Sequence, residues 1–147
     1  MRSSFHGSEV NMSSTLKLEV VTPEGTAISE DVEMVTLPGV EGEMGILPQH
    51  VPLMTQMVPG AMIVRQNGQD RFLAVGEGLV EITGDHVAIL TDLALPAEKI
   101  DEAAAEEARQ RAQARLRERL SDEEVASVNA ALARSLAQIR VKRRQRD

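Results

Sequence analysis

The residue types that do chemistry are sparse and dispersed in this chain. Histidine occurs three times, at His6, His50 and His86, and cysteine is absent. Disulfides, thiolate metal sites and a cysteine nucleophile are therefore excluded, and no H-E-x-x-H spacing builds a catalytic metal site. The densest unusual stretch is Leu37-Pro38-Gly39-Val40-Glu41-Gly42-Glu43-Met44-Gly45-Ile46-Leu47-Pro48-Gln49-His50-Val51-Pro52-Leu53. Its glycine spacing is not that of a phosphate loop. It has neither the lysine nor the hydroxyl, and Glu41 and Glu43 repel phosphate. On pattern alone it reads as a rigid, tightly turned loop. His50 is either a proton-transfer group or a structural histidine, and no Ser, Cys or spaced carboxylate completes a triad around it. The other charged feature is basic. Arg140-Val141-Lys142-Arg143-Arg144-Gln145-Arg146 suits an acidic protein surface, anionic lipid or nucleic acid, or is a solvated tail at the negative end of a helix dipole. With no Trp or Tyr and two Phe, base stacking has little to work with, and nucleic acid is the weakest of these partners.

Those two features belong to two different units. The net charge of −7 over 147 residues conceals a split. Residues 1–95 carry 4 Lys and Arg against 13 Asp and Glu, a balance of −9, whereas residues 96–147 carry 12 against 10, a balance of +2. All 10 glycines lie in the first unit, and the second holds 12 of the 17 alanines and one proline, Pro96. Turn formers that stop at one point mark a change of secondary-structure class. The expected organisation is a disordered extension over 1–14, with Met12 as an alternative start, a β domain over 15–95, a helical hairpin over 96–142 and a basic tail over 143–147. No segment approaches 18 consecutive apolar residues, so no membrane span is expected.

The first unit reads as an all-antiparallel β-sandwich. Leu16-Lys17-Leu18-Glu19-Val20 alternates with the period of a half-buried strand, and Thr22-Pro23-Glu24-Gly25 is a turn. A second strand runs from Val32 to Leu37. Asn67-Gly68 between Ala61–Gln66 and Arg71–Val75 is the strongest hairpin signal, because Asn and Gly tolerate the positive φ of a type I′ turn. Gly84-Asp85 marks another hairpin between Leu79–Thr83 and His86–Leu90. In the second unit a stripe runs Ile100, Ala104, Ala108, Ala112, Leu116, Leu120, which predicts one helix through Leu120. Ser121-Asp122-Glu123-Glu124 is a capping-box signature that starts a second helix after a link of two or three residues. That helix carries Val125, Val128, Leu132, Leu136 and Ile139. An alanine-rich pair of this kind buries little area, so it needs the β domain or a partner to hold it. It either packs permanently on the sandwich or occupies more than one position.

Three segments together resemble a known family. Leu18-Glu19-Val20-Val21-Thr22-Pro23, the string Gly42-Glu43-Met44-Gly45-Ile46-Leu47-Pro48-Gln49-His50-Val51-Pro52-Leu53, and Ile100-Asp101-Glu102-Ala103 before an Ala/Arg-rich hairpin are similar to the epsilon subunits of bacterial F-type ATP synthases. The resemblance spans about residues 15–142. It implies a non-catalytic central-stalk subunit without cofactor or metal, bound peripherally at the cytoplasmic face of the bacterial inner membrane within an H+-transporting two-sector ATPase. It leaves open whether H+ or Na+ is carried, because the ion ligands belong to other subunits. The implied partners are the gamma subunit, the c-ring and the alpha and beta subunits. Glu43, Met44, Gly45 and His50 become candidates for ring and gamma contact. Arg109, Arg111, Arg115, Arg117 and Arg119 on the first helix, with Arg134 and Arg140 on the second, become candidates for a basic face that meets the beta subunit and blocks ATP hydrolysis. Some members bind ATP through Ile/Leu-Asp-x-x-Arg-Ala. Here Ile100, Asp101, Ala104 and Ala105 occupy the motif, with alanine in place of the arginine fork that grips phosphate. A reading from another class is a small β-sandwich ligand-binding protein with a helical lid, for which the sequence offers no convergent polar set.

Overall fold

The computed structural model describes residues 15–146, the last without its side chain. The expected extension over 1–14 thus lies outside the described residues. Ten strands precede the helices. β1 (Leu16–Thr22) buries Leu16, Leu18 and Val20 on one face, as its alternation dictates, and turns at Gly25 into β2 (Gly25–Val32). Gly25 has φ 123°, a conformation that suits glycine. β3 (Met34–Gly39), β4 (Gly42–Ile46) and β5 (His50–Met57) follow. β6 (Gly60–Gln66) and β7 (Gln69–Val75) form a hairpin whose tip, Asn67 at φ 54° and Gly68 at φ 75°, has the two positive angles expected of a type I′ turn. β8 (Gly78–Gly84), β9 (His86–Thr91) and the short β10 (Ala94–Pro96) complete the set.

The strands pair in the order β10-β7-β6-β3-β5-β8-β9-β1-β2, with β4 on β3. The joint between the two halves of this order is narrow, since β3 and β5 share a single register pair, Gly39 with Met57, flanked by the Val40 N–H bond to the Gln56 carbonyl and the Val58 N–H bond to the Pro38 carbonyl. The sheet folds over there and encloses Leu18, Val20, Val35, Leu37, Ile46, Met62, Val64, Val80, Ile82 and Ile89. Two features differ from the sequence expectation. First, the 37–53 stretch is not one loop. Leu37 pairs with Met44 across β3 and β4, and Leu53–Met57 pair with Gly78–Ile82 across β5 and β8. Second, the domain is not wholly antiparallel, because β1 runs parallel to β9. A hairpin dictates antiparallel pairing only between strands adjacent in sequence. β1 reaches β9 from the far end of the domain, and a long connection permits either direction.

After a 3-10 turn (Ala97–Lys99), α1 (Glu102–Arg115) and α2 (Asp122–Arg146) form an antiparallel pair. α2 lies across β6 and β7, and α1 packs on α2 rather than on the sheet. α1 stops earlier than its apolar stripe predicts, and residues 116–121 form the link. The N–H of Arg117 bonds to Ala114 and that of Glu118 to Arg115, the tight pattern of an ending helix. Ser121 must leave helical geometry to cap α2. Its Oγ accepts from the Glu124 N–H at 3.1 Å, and Glu124 accepts from the Ser121 N–H at 3.0 Å. At the other end α2 continues through the expected tail. No glycine or proline stops it, and Arg143 pairs with Glu102 at 3.1 Å while Gln145 reaches Glu98 at 3.2 Å.

Candidate functional site

Two surfaces carry the candidate residues. The first is the rim formed by the β3–β4 hairpin and the 47–49 connection into β5. Gly42, at φ 121°, makes the tight return into β4. Strand alternation then sorts the string. Glu43 and Gly45 are exposed, whereas Met44 stands opposite the buried Leu37 and packs on the core. His50 is half-buried at the start of β5, with Nδ1 2.7 Å from the Val51 carbonyl oxygen. Of the four candidates for ring contact, Glu43, Gly45 and His50 are thus accessible and Met44 faces inward.

Sequence reasoning did not single out the apolar part of this rim. Val51 is 74% exposed, Met54 61% and Leu47 55%, with Val40, Leu53 and Val58 also open. Leu47, Val51, Leu53 and Met54 follow one another into β5, whereas Val40 and Val58 flank the Gly39–Met57 pair at its far end, and open apolar side chains gathered in this way are a mark of contact surfaces. The available signal was Val51-Pro52-Leu53-Met54, four apolar residues with none of the alternation that β1 shows.

The second surface is the hairpin. Its arginines do not converge in this docked arrangement. Successive helical residues are rotated by about 100°, so Arg111 and Arg115 share one side of α1 while Arg109 points elsewhere. Arg109 lies between the helices with Glu106, Leu136, Ile139 and Arg143. It pairs with Glu106 and donates to Gln113 at 2.8 Å. The Arg109 guanidinium holds the Glu106 carboxyl below its ordinary value. Arg115 reaches Glu118 at 3.3 Å and Glu124 at 3.5 Å. Arg117 and Arg119 lie in the exposed link rather than on the first helix, because α1 ends at Arg115. Arg134 pairs with Asp92 of the β9–β10 connection at 3.5 Å. Arg140 lines a cleft of about 380 Å³ together with Glu43, Pro59 and Arg144.

The segment over Ile100, Asp101, Ala104 and Ala105 is structural. Asp101 caps α1, its Oδ1 accepting from the Ala104 N–H at 3.1 Å. Ile100 is buried in a small cluster with Ala74, Ala97 and Val141. Ala105 is buried against the helix pair and Ala104 is exposed, offering no phosphate donor beyond backbone. Among the described residues no group of three or more histidines or carboxylates is placed to hold a metal ion, and no helix is long and apolar enough to cross a membrane.

What holds the hairpin to the sandwich is modest. Val141 meets Ala74, Ala97 and Ile100, with Phe72, Ala61 and Leu95 at the margin. Lys142 donates to the Ala97 carbonyl at 3.0 Å, and the Arg144 guanidinium sits 5.1 Å from the centre of the Phe72 ring. The polar links at the ends of this contact are largely exposed pairs, each worth at most about 1 kcal/mol.

Comparison with known proteins fits this two-part construction. Residues 15–97 match the family model of the ATP synthase delta/epsilon chain β-sandwich domain, and residues 98–143 match that of its long α-helix domain. The ATP synthase epsilon chain of Herpetosiphon aurantiacus is 40% identical over 132 residues, covering 90% of this chain and 97% of that one. The epsilon chain of Bacillus subtilis is 42% identical over 111 residues, covering 76% and 84%. Among solved structures, a chain of the Euglena gracilis mitochondrial ATP synthase complex aligns with a TM-score of 0.70 at 24% identity, over 82% of this chain and 76% of that one. This likeness extends to the fold. On the two family models and the full-length relatives, the chain belongs to the ATP synthase delta/epsilon chain family.

Proposed function

We infer that the chain is a central-stalk rotor subunit which links the gamma subunit and the c-ring to the catalytic head, and whose C-terminal hairpin restrains ATP hydrolysis. The observation that carries this reading is a family match across both units, joined to a hairpin held on its sandwich by a small cluster around Val141. The open apolar rim over Val40, Leu47, Val51, Leu53, Met54 and Val58 suits ring and gamma contact, with Glu43, Gly45 and His50 beside it. The hairpin supplies the inhibitory element. Undocking frees Arg134 from Asp92 and adds it to the exposed Arg111, Arg117, Arg119 and Arg140 for an acidic segment of the beta subunit. Association with the membrane follows from the complex, and the reading extends to the cytoplasmic face of a bacterial inner membrane.

Capture experiments with purified gamma and c subunits test the partner assignment. The full chain is expected to retain both, and failure to retain either contradicts it. The alanine at position 104 leads to a second expectation, that the isolated chain does not bind ATP appreciably. Equilibrium titration checks it, and a Kd in the micromolar range would contradict it.

A further inference from the structure

The rim loop contains a backbone feature that the surrounding strands do not explain. Gln49 has φ 65°, left-handed backbone in a residue with a side chain. Gly, Asn and Asp take this conformation more readily, so at glutamine it needs support from outside the residue. That support comes from a turn 36 residues away, where Asp85 Oδ1 accepts the Gln49 N–H at 2.6 Å. The acceptor is itself anchored. Gly84 turns at φ 58°, the Asp85 carbonyl accepts from the Lys17 N–H at 2.7 Å, and Gly84 pairs with His50 across β5 and β8. Beyond that pair the β5 register shifts before Leu53, which throws Val51 and Pro52 out of the ladder and leaves Val51 open to solvent.

We propose that Asp85 is the positioning residue of the rim. Its carboxylate pins the Gln49 amide, stabilises the left-handed turn, and so presents Leu47, His50 and Val51 in one arrangement before a partner arrives. A loop ordered in advance binds without the cost of ordering it on contact. The role in partner binding rests on the reading that this rim meets the c-ring. Asp85 acts through Gln49 and has no contact with the partner of its own.

The test uses the full chain and purified c-ring in detergent. In Asp85→Ala the Gln49 amide is expected to exchange with solvent about tenfold faster, and affinity for the ring to fall by about the same factor, since a hydrogen bond to a charged acceptor is worth that much. The chain is expected to stay folded, with a melting temperature only a few degrees lower, because the Lys17 bond uses the Asp85 backbone. Asp85→Asn keeps an acceptor oxygen and is expected to retain most of the affinity. Adding Gln49→Gly to Asp85→Ala is expected to restore part of the ring affinity, because glycine adopts φ 65° without steric penalty. A loss that Gln49→Gly leaves unrepaired assigns Asp85 a direct contact and overturns the proposal. Val51→Asp separates the two levels. If it weakens ring binding while Asp85→Ala does not, positioning by Asp85 is wrong and the ring reading stands. If Val51→Asp leaves ring binding intact, the ring reading itself falls, and the proposal with it.

Discussion

The sandwich and the hairpin are built from different materials and hold together by different means. The sandwich encloses branched and long apolar side chains that are wholly buried, among them Leu16, Leu18, Leu37, Ile46, Ile82 and Ile89. They come from strands distant in sequence, so no part of the core survives without the rest. In the hairpin, α1 buries only Ala105 and Ala112, and α2 buries Ser135, Ala137, Ile139 and Val141. Each deeply buried side chain there except Ile139 and Val141 is alanine or serine, and a buried alanine contributes a fraction of what a leucine does. The lesson is a division of labour. On the proposed function, the part that transmits force is a closed core, and the part that changes position is held by a seam of small side chains.

Breaking the core is expected to have the largest effect. Leu37→Ala removes a fully buried side chain between β3 and β4 and is expected to cost about 3 kcal/mol, read from denaturant unfolding. Once the sandwich unfolds, the hairpin, with little buried area of its own, is expected to unfold as well. Val141→Ala sharpens the contrast. Two methyl groups leave the docking cluster, at about 1.5 kcal/mol. The expected readout is selective, with faster amide exchange in α2 and unchanged exchange in β1, β8 and β9. Equal acceleration in both parts would mean that hairpin and sandwich are one cooperative unit.

A smaller effect is expected at the cap of α2. Ser121→Ala removes one arm of the capping box and is expected to cost the first turn about 1 kcal/mol, measured by exchange at Val125. The same motif sets a pH dependence. The hydrogen bond from the Ser121 backbone, helped by its hydroxyl and by Arg115, holds the Glu124 carboxyl below its ordinary value. A depressed carboxylate contributes stability that is fully present above its unfolded value and is lost as the pH falls towards the folded one. Acidification is therefore expected to loosen the 116–121 link and the start of α2 below the ordinary glutamate range, and Glu124→Gln to remove that dependence. Chemical-shift titration of residues 121–125 reads both.

Local chemistry was legible in the sequence, and distant partners were not. Asn67-Gly68 and Gly84-Asp85 mark their hairpins because the turn residues carry the conformation themselves. Ser121 and Glu124 mark a helix start because both bonds of the box lie within four residues. β2, β4 and β5 were missed as strands. Ser29, Glu43 and Thr55 gain extended structure from neighbours across the sheet, not from their own periodicity. The parallel pairing of β1 with β9 and the bond from Gln49 to Asp85 are equally nonlocal. The arginines of the hairpin were legible as charge. Their pairing with Glu106, Glu118 and Asp92 depends on where α1 ends and where α2 docks.

The central claim is that the closed sandwich couples while the thinly held hairpin restrains. ATP hydrolysis and ion pumping by the reconstituted complex, compared between the full chain and a chain ending at Ile100, test it most directly. The expected result is faster hydrolysis with pumping retained. Hydrolysis unchanged by the loss of α1 and α2, or pumping abolished with them, would contradict it.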